Sequence, residues 1–372
     1  MPRFELGRRR IAIDARSYAS SSGAYVRNLI AQLQELDHTT QYDVWLPPEI
    51  AEKIAFAGAN FHAVPTSAGA YTLGEQFGFL RALLRRRYDL VHFAMQQQPV
   101  FYFRPRVSTF HDLTIVHHDT SNSSPLVNRA FRVAATLMFS ITLRTSRVVI
   151  VPSEATRSAV VKFARIPRRK TLVTLEAADV TSTETTPYGV LSDRFLLYVG
   201  NFYDYKNVRR LIEAHQRILE DDPDLGLVLV GRMHKAAQPL VEGMARSGAR
   251  NITFTGYIDE AERNWLYENC EAYVFPSLSE GFGLPGLEAM AFGAPVIAAR
   301  ATSLPEVYRD GAAYFDPLDV DDMVSVIRSV VSSPQRQADL RERGRAVLDG
   351  YDWRRTAEQT LEAYDAALRA RA

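Results

Sequence analysis

The stretch Phe275-Pro-Ser-Leu-Ser-Glu-Gly-Phe-Gly-Leu-Pro-Gly-Leu-Glu-Ala-Met-Ala-Phe-Gly-Ala-Pro-Val-Ile-Ala-Ala299 decides how the rest of the chain is read. It runs as strand end, glycine loop, short helix, turn and next strand. Gly281 and Gly283 remove side chains where a backbone has to pass close to something. Pro285 falls where the first helical turn begins, a place that suits its fixed φ and missing N–H. Loop and helix start therefore offer N–H groups and a positive dipole end, a ready seat for phosphate. Glu280 and Glu288, with seven residues between them, suit hydroxyls instead. A phosphate cradle flanked by two hydroxyl acceptors is what a nucleotide sugar requires.

A second reading lies inside the same letters. Gly281, Gly283 and Gly286 spell G-x-G-x-x-G, with Glu306 about 20 residues further on, as a dinucleotide fingerprint asks. That fingerprint follows its strand at once, whereas Pro276 to Glu280 intervene here and Pro285 interrupts the glycines. The context favours the first reading over a dinucleotide-dependent oxidoreductase.

Working outward, Phe195-Leu-Leu-Tyr-Val-Gly200 is a strand that runs into Asn201-Phe-Tyr-Asp-Tyr-Lys-Asn207 and a helix with Val208, Leu211, Ile212 and Ile218 inward. A lysine just before a helix start clamps a diphosphate well, which singles out Lys206. Strands are also expected at Leu227–Gly231 and 251–258, and in the first half at Arg10–Asp14, 42–46, 89–93, 107–111 and 147–151. Helices are expected over 25–36, 73–87 and 126–143, and from Trp353 onward, with Ala357, Leu361, Tyr364 and Leu368 as an apolar stripe. Alternating strands and helices predict an α/β chain, and 372 residues are enough for two domains of ordinary size.

The 25-residue stretch, with Lys206 before it, resembles the E-x7-E signature of the retaining glycosyltransferases of family four, the group 1 glycosyltransferases. The resemblance implies the GT-B fold, two Rossmann-like domains with parallel sheets facing across a cleft. It divides the chain into an acceptor-side domain over 1–178, a linker over 179–192 and a nucleotide-sugar domain over 193–352. A helix over 353–372 then returns towards the first domain. It implies transfer of a hexose, mannose as first guess, from a GDP- or UDP-linked donor to a glycan or lipid-linked acceptor in surface polysaccharide assembly. Anomeric configuration would be retained, and neither cofactor nor bound metal is needed. A non-catalytic nucleotide-sugar binding protein is the alternative.

Residue by residue, the resemblance gives catalytic roles to His111 (in Ser108-Thr-Phe-His-Asp112), Glu280 and Lys206. Donor binding falls to Gly281, Phe282, Gly283, Leu284 and Glu288, and to Gly256, Tyr257 and Ile258 at the end of a strand. Many relatives carry an arginine directly after the glycine of Val199-Gly200; this chain has Asn201, and Arg232 is either its replacement or a surface residue. The acceptor-side loop with Ser22 and Gly23 matches a glycine-rich segment of which one glycine remains. Ser153 reads as a helix cap, and His117 and His118 as solvated.

Composition sets the remaining bounds. In 372 residues, 47% are apolar and 23% charged, which excludes disordered and collagen-like classes. The single cysteine, Cys270, permits no internal disulfide and suits the cytoplasm. The apolar window Val133 to Leu143, bounded by Arg132 and Arg144, reads as too short to cross a bilayer, and nothing near Met1 reads as a signal peptide. Residues 1–180 hold 23 Lys and Arg against 14 Asp and Glu, while the remainder holds 21 against 29. The basic half is either a solvated surface or a peripheral contact with an anionic membrane at its inner face. No nucleic acid is expected as a partner.

Overall fold

The computed structural model describes residues 9–20, 23–118, 125–180, 182–190, 192–232 and 237–370. Two compact units form. The first comprises Met1–Leu113, Val133–Glu176 and Asp352–Ala372; the second comprises Thr114–Arg132 and Ala177–Tyr351. The segment Thr114–Arg132, expected in the first domain, thus groups with the second. One physical reason is visible at its end, where the His118 ring lies 5.6 Å from that of Tyr205. His118 is therefore not the solvated residue expected.

The first unit holds β1 (Arg10–Asp14), β2 (Gln41–Leu46), β3 (Phe61–Pro65), β4 (Leu90–Phe93), β5 (Arg106–Thr109), β6 (Val148–Val151) and β7 (Thr171–Val173). Their order is β3-β2-β1-β4-β5-β6-β7, all parallel. The second unit holds β8 (Phe195–Val199), β9 (Gly226–Val230), β10 (Ile252–Gly256), β11 (Ala272–Phe275), β12 (Val296–Ala299) and β13 (Ala312–Phe315), in the parallel order β10-β9-β8-β11-β12-β13. These strands read as continuous apolar runs because helices cover both faces of a parallel sheet. In each sheet the strand order reverses once, between β1 and β4 and between β8 and β11. Loops leaving the carboxyl ends of strands at such a point diverge and leave a crevice for ligand. The fold is GT-B.

The C-terminal helix Trp353–Arg369 packs on helix Ala24–Leu36 of the first unit. Ala357 and Tyr364 of the expected stripe are fully covered, and Leu361 and Leu368 pack against the same core partly exposed. Thr356 and Thr360, which the apolar pattern does not single out, are buried too. Each satisfies its hydroxyl on a carbonyl, Thr356 on Leu175 and Thr360 on Thr356. The linker lies on helix Glu260–Asn269, where Asn264 Nδ2 donates to the carbonyls of Ser182 and Glu184 at 3.0 and 3.2 Å. Cys270 is buried, and burial pushes its thiol up to about 12, an inert filler.

Helix Pro125–Thr145 departs from expectation. Its stretch Leu126–Thr145 is long and apolar enough to cross a membrane by length and composition, which corrects the shorter window read from the sequence. Only 22% of that window is buried. One side nevertheless packs in the first unit, with Ala135, Phe139, Thr142 and Leu143 covered and the Phe139 ring 5.4 Å from Phe110.

Candidate active site

The second unit's switch point carries the glycine loop. Its shape is set by neighbours distant in sequence. Thr302 Oγ1 accepts from the Glu280 amide at 2.9 Å, and Ser303 Oγ serves the carbonyls of Glu280 (3.0 Å) and Phe282 (3.1 Å). Asn207, at φ +60°, caps the start of helix Val208–Ile218. Its side-chain amide ties β8's loop to the others by donating to Pro276 O (3.1 Å) and Pro317 O (2.8 Å). Asparagine adopts this left-handed conformation more readily than most residues.

These ties aim Lys206. Its Nζ lies 2.6 Å from Glu280 Oε1, with both side chains mostly covered, and 5.4 and 5.3 Å from the ring centres of Tyr205 and Phe275. The two charges expected to act on one donor are thus already adjacent. Beside them, helix Leu284–Ala291 begins at Gly283, and the N–H groups of Phe282, Gly283 and Leu284 meet no acceptor among the described residues. Amides at a helix start present partial positive charge, so this corner suits an anion.

The glycines have a different cause from the one the sequence suggests. Gly283 sits at φ +115°, and a Cβ there would lie 2.5 Å from Tyr308 Oη. A Cβ on Gly286 would lie 2.3 Å from the Tyr308 ring. Tyr308 is fully buried and donates to Gly283 O at 2.5 Å. The close approach at these two glycines is thus to the chain's own tyrosine beneath the loop.

Glu288 lies one turn into the helix beside Tyr267, whose hydroxyl donates to it at 3.4 Å. Burial pushes its carboxyl up to about 7, with Arg263 pulling it down and Asp179 pushing it up. At neutral pH it is therefore divided between acid and carboxylate. Arg232 follows β9, and its guanidinium lies 4.8 Å from the ring centre of the exposed Tyr257, just after β10. A Cβ on Gly231 would meet Gly200 O at 2.0 Å, so the backbones before Arg232 and Asn201 abut. Gly256 takes φ +72° and accepts from Gly231 N at 3.1 Å, and Ile258 is half-buried.

His111 belongs to the first unit and is held there. Nε2–H donates to Ala94 O and Nδ1–H to Glu176 Oε1, each at 2.9 Å. Two acceptors require both ring nitrogens protonated. Burial by itself would lower the His111 pKa, but the hydrogen bond and charge of Glu176 raise it overall. His92, on the neighbouring strand, is the opposite case: its nitrogens face the hydroxyls of Tyr364 and Thr109, and burial drives it down to about 3. At the tip of β1, Arg16 pairs with Asp14 (2.8 Å) and Glu75 (2.7 Å), all nearly covered. Gly23 closes its loop tightly, since a Cβ would meet Ser17 O at 2.3 Å; Ser22 lies outside the described residues. Among the described residues no three His, Cys, Asp or Glu side chains converge as metal ligands do.

Sequence reasoning missed Glu176, Tyr267, Tyr308, Thr302 and Ser303. Glu176 sits where the chain turns polar and reads as the start of a linker. The others carry no local signal, because each acts on residues 20 or more positions away.

Comparison with known proteins follows the same division. The model for glycosyl transferases group 1 matches residues 189–347, and that for glycosyltransferase family 4 matches residues 22–180. The O-antigen chain mannosyltransferase B of Escherichia coli is 29% identical over 353 residues, 85% of this chain and 91% of that protein. Sucrose-phosphate synthase of Thermosynechococcus elongatus superposes with a TM-score of 0.75 at 21% identity, over 96% of this chain and 98% of that one. HepE of Anabaena, solved in complex with UDP, gives 0.70 at 19% identity, over 96% and 100%. With each half matched by a glycosyltransferase model and the sheets ordered as they are, the chain belongs to the group 1 glycosyltransferases, enzymes that transfer hexoses.

Proposed function

We propose that this enzyme moves a hexose, mannose first, from a nucleotide diphosphate sugar to a glycan or lipid-linked acceptor in surface polysaccharide assembly, with retained configuration and no metal. The observation that carries the reading is the Lys206–Glu280 pair at 2.6 Å beside the open amides of Phe282, Gly283 and Leu284. An entering diphosphate competes for Lys206 and takes up those amides, which leaves Glu280 to accept from sugar hydroxyls. Glu288 accepts from the ribose hydroxyls. As the bond from the anomeric carbon to the diphosphate oxygen breaks, charge grows on that oxygen, and preorganised donors lower the barrier there. The acceptor oxygen bonds on the same face, and its proton passes to the departing phosphate. Lys206 and the amides do the work that a divalent cation does in other transferases. The mannosyl assignment leans on the name of the E. coli relative, and the nucleotide diphosphate on the UDP complex of HepE. GDP- and UDP-linked donors both fit a diphosphate clamp, and the compartment proposed for the reaction is the cytoplasm.

The test is incubation of the full chain with a panel of GDP- and UDP-hexoses and a mannoside acceptor, with the new linkage read by NMR. One donor is expected to give a product of unchanged anomeric configuration. An inverted product overturns the retaining assignment, and tight donor binding without transfer overturns the catalytic one.

A further inference from the structure

Among the described residues, ten of the thirteen large apolar side chains left exposed fall between residues 73 and 141. Within the first unit they gather around one node. Arg106 is fully buried and donates to the carbonyls of Pro99 (3.3 Å) and Thr142 (3.4 Å) and to the Thr145 hydroxyl. The last two lie at the carboxyl end of helix Pro125–Thr145, where a cation is favoured. This ties the loop after β4 to the helix. Gln76 ties the same loop to helix Gly74–Phe79, accepting from Val100 N at 2.9 Å, and Arg104 donates to Leu84 O at 2.9 Å. Tyr102 is buried between Phe101 and Phe103, whose rings stand 58% and 66% exposed and 6.3 Å apart. On the helix, Val133, Leu137 and Ile141 repeat every four residues on the side opposite the packed Ala135 and Phe139, and all three are exposed.

The charge around this face has one sign. Residues 76–88, 98–106 and 133–147 of the first unit contain seven arginines besides the buried Arg106 and no aspartate or glutamate. We propose that Phe101, Phe103, Leu137 and Ile141, with Phe77 at the margin and the surrounding arginines, dock the first unit on an anionic phospholipid surface. Aromatic rings enter the headgroup boundary, and arginines meet lipid phosphates. The packed side of the helix makes this a face that lies on the bilayer rather than a segment that spans it. A second copy of the chain is the weaker occupant, because a self-complementary contact would set arginine against arginine. The proposal does not depend on the identity of the transferred sugar.

Flotation of the full chain with vesicles of equal parts phosphatidylglycerol and phosphatidylcholine, against phosphatidylcholine alone, tests it. The chain is expected to float with the anionic vesicles only and to be released by salt. The exposed double variant Phe101→Ser/Phe103→Ser should partition about tenfold less while melting normally and keeping its activity on a soluble acceptor. Arg85→Gln/Arg104→Gln should weaken partitioning to the anionic vesicles alone. Equal partitioning of the phenylalanine variant, equal flotation with neutral vesicles, or a dimer that these changes dissociate would each overturn the proposal. Loss of transfer with flotation intact would instead count against the proposed reaction.

Discussion

At the switch point of the second sheet, three backbone N–H groups of the loop after β11 meet no acceptor among the described residues, and they lie beside the Lys206–Glu280 pair. At that of the first sheet, the polar groups partner one another. Arg16 is locked between Asp14 and Glu75, and the nearby His111 between Glu176 and Ala94. The strand order is the same in both. Topology therefore supplies a crevice, and the residues at its rim decide whether the crevice holds chemistry or structure. The second unit leaves those amides beside a lysine–glutamate pair, whereas the first engages Arg16 and His111 with its own acceptors.

The largest effect expected from breaking this contrast is at Glu280. Glu280→Gln removes the charge proposed to receive sugar hydroxyls, with an expected cost of about 3 kcal/mol of barrier or roughly 100-fold in kcat/KM. Steady-state kinetics on the identified donor, with a melting curve as control, measure it. Activity within a few-fold of the parent would return Glu280 to a structural role.

Next is the floor of the loop. Gly286→Ala forces a methyl group into Tyr308, at a cost of about 2–3 kcal/mol in urea unfolding. Tyr308→Ala in the same chain should recover part of the loss. A Gly286→Ala protein of parent stability would mean that the loop shifts without cost, and that the glycines answer to the ligand alone.

Glu288 gives a smaller, pH-dependent effect. Its carboxyl titrates near 7, and ribose hydroxyls bond best to the ionised form. Donor affinity should therefore rise about tenfold from pH 6 to pH 8. A nucleotide sugar is the right probe, because its diphosphate does not titrate in that window. In Glu288→Gln the slope should vanish; a parent-like slope would assign the titration elsewhere.

The smallest test sits in the first unit. His111 binds its proton more tightly when folded than when unfolded. Its contribution to stability is whole below the unfolded value, about 6.5, and is lost as pH rises through the raised folded value. Glu176→Gln should remove that decline from unfolding curves taken at stepped pH. An unchanged decline would detach His111 from Glu176.

Much of this was legible in the sequence where the signal is local. The apolar runs of β1, β8 and β11, the helix start at Pro285 and the lysine before Val208 all declare themselves within a few residues. What was not legible depends on long closures. Gly283 and Gly286 announce a tight approach, but not that Tyr308 makes it. His111 announces a polar strand tip, but its state is set by Glu176, 65 residues away. Helix Pro125–Thr145 shows apolar length, yet which side is covered follows only from Phe110 and Arg106.

The account rests most directly on Lys206 gripping a diphosphate. Isothermal titration of the parent and of Lys206→Met with the preferred nucleoside diphosphate, and with the corresponding nucleoside, measures that grip. The account predicts at least about a tenfold loss of affinity for the diphosphate and none for the nucleoside, as removal of one charged hydrogen bond implies. Equal affinity of parent and variant for the diphosphate would contradict it.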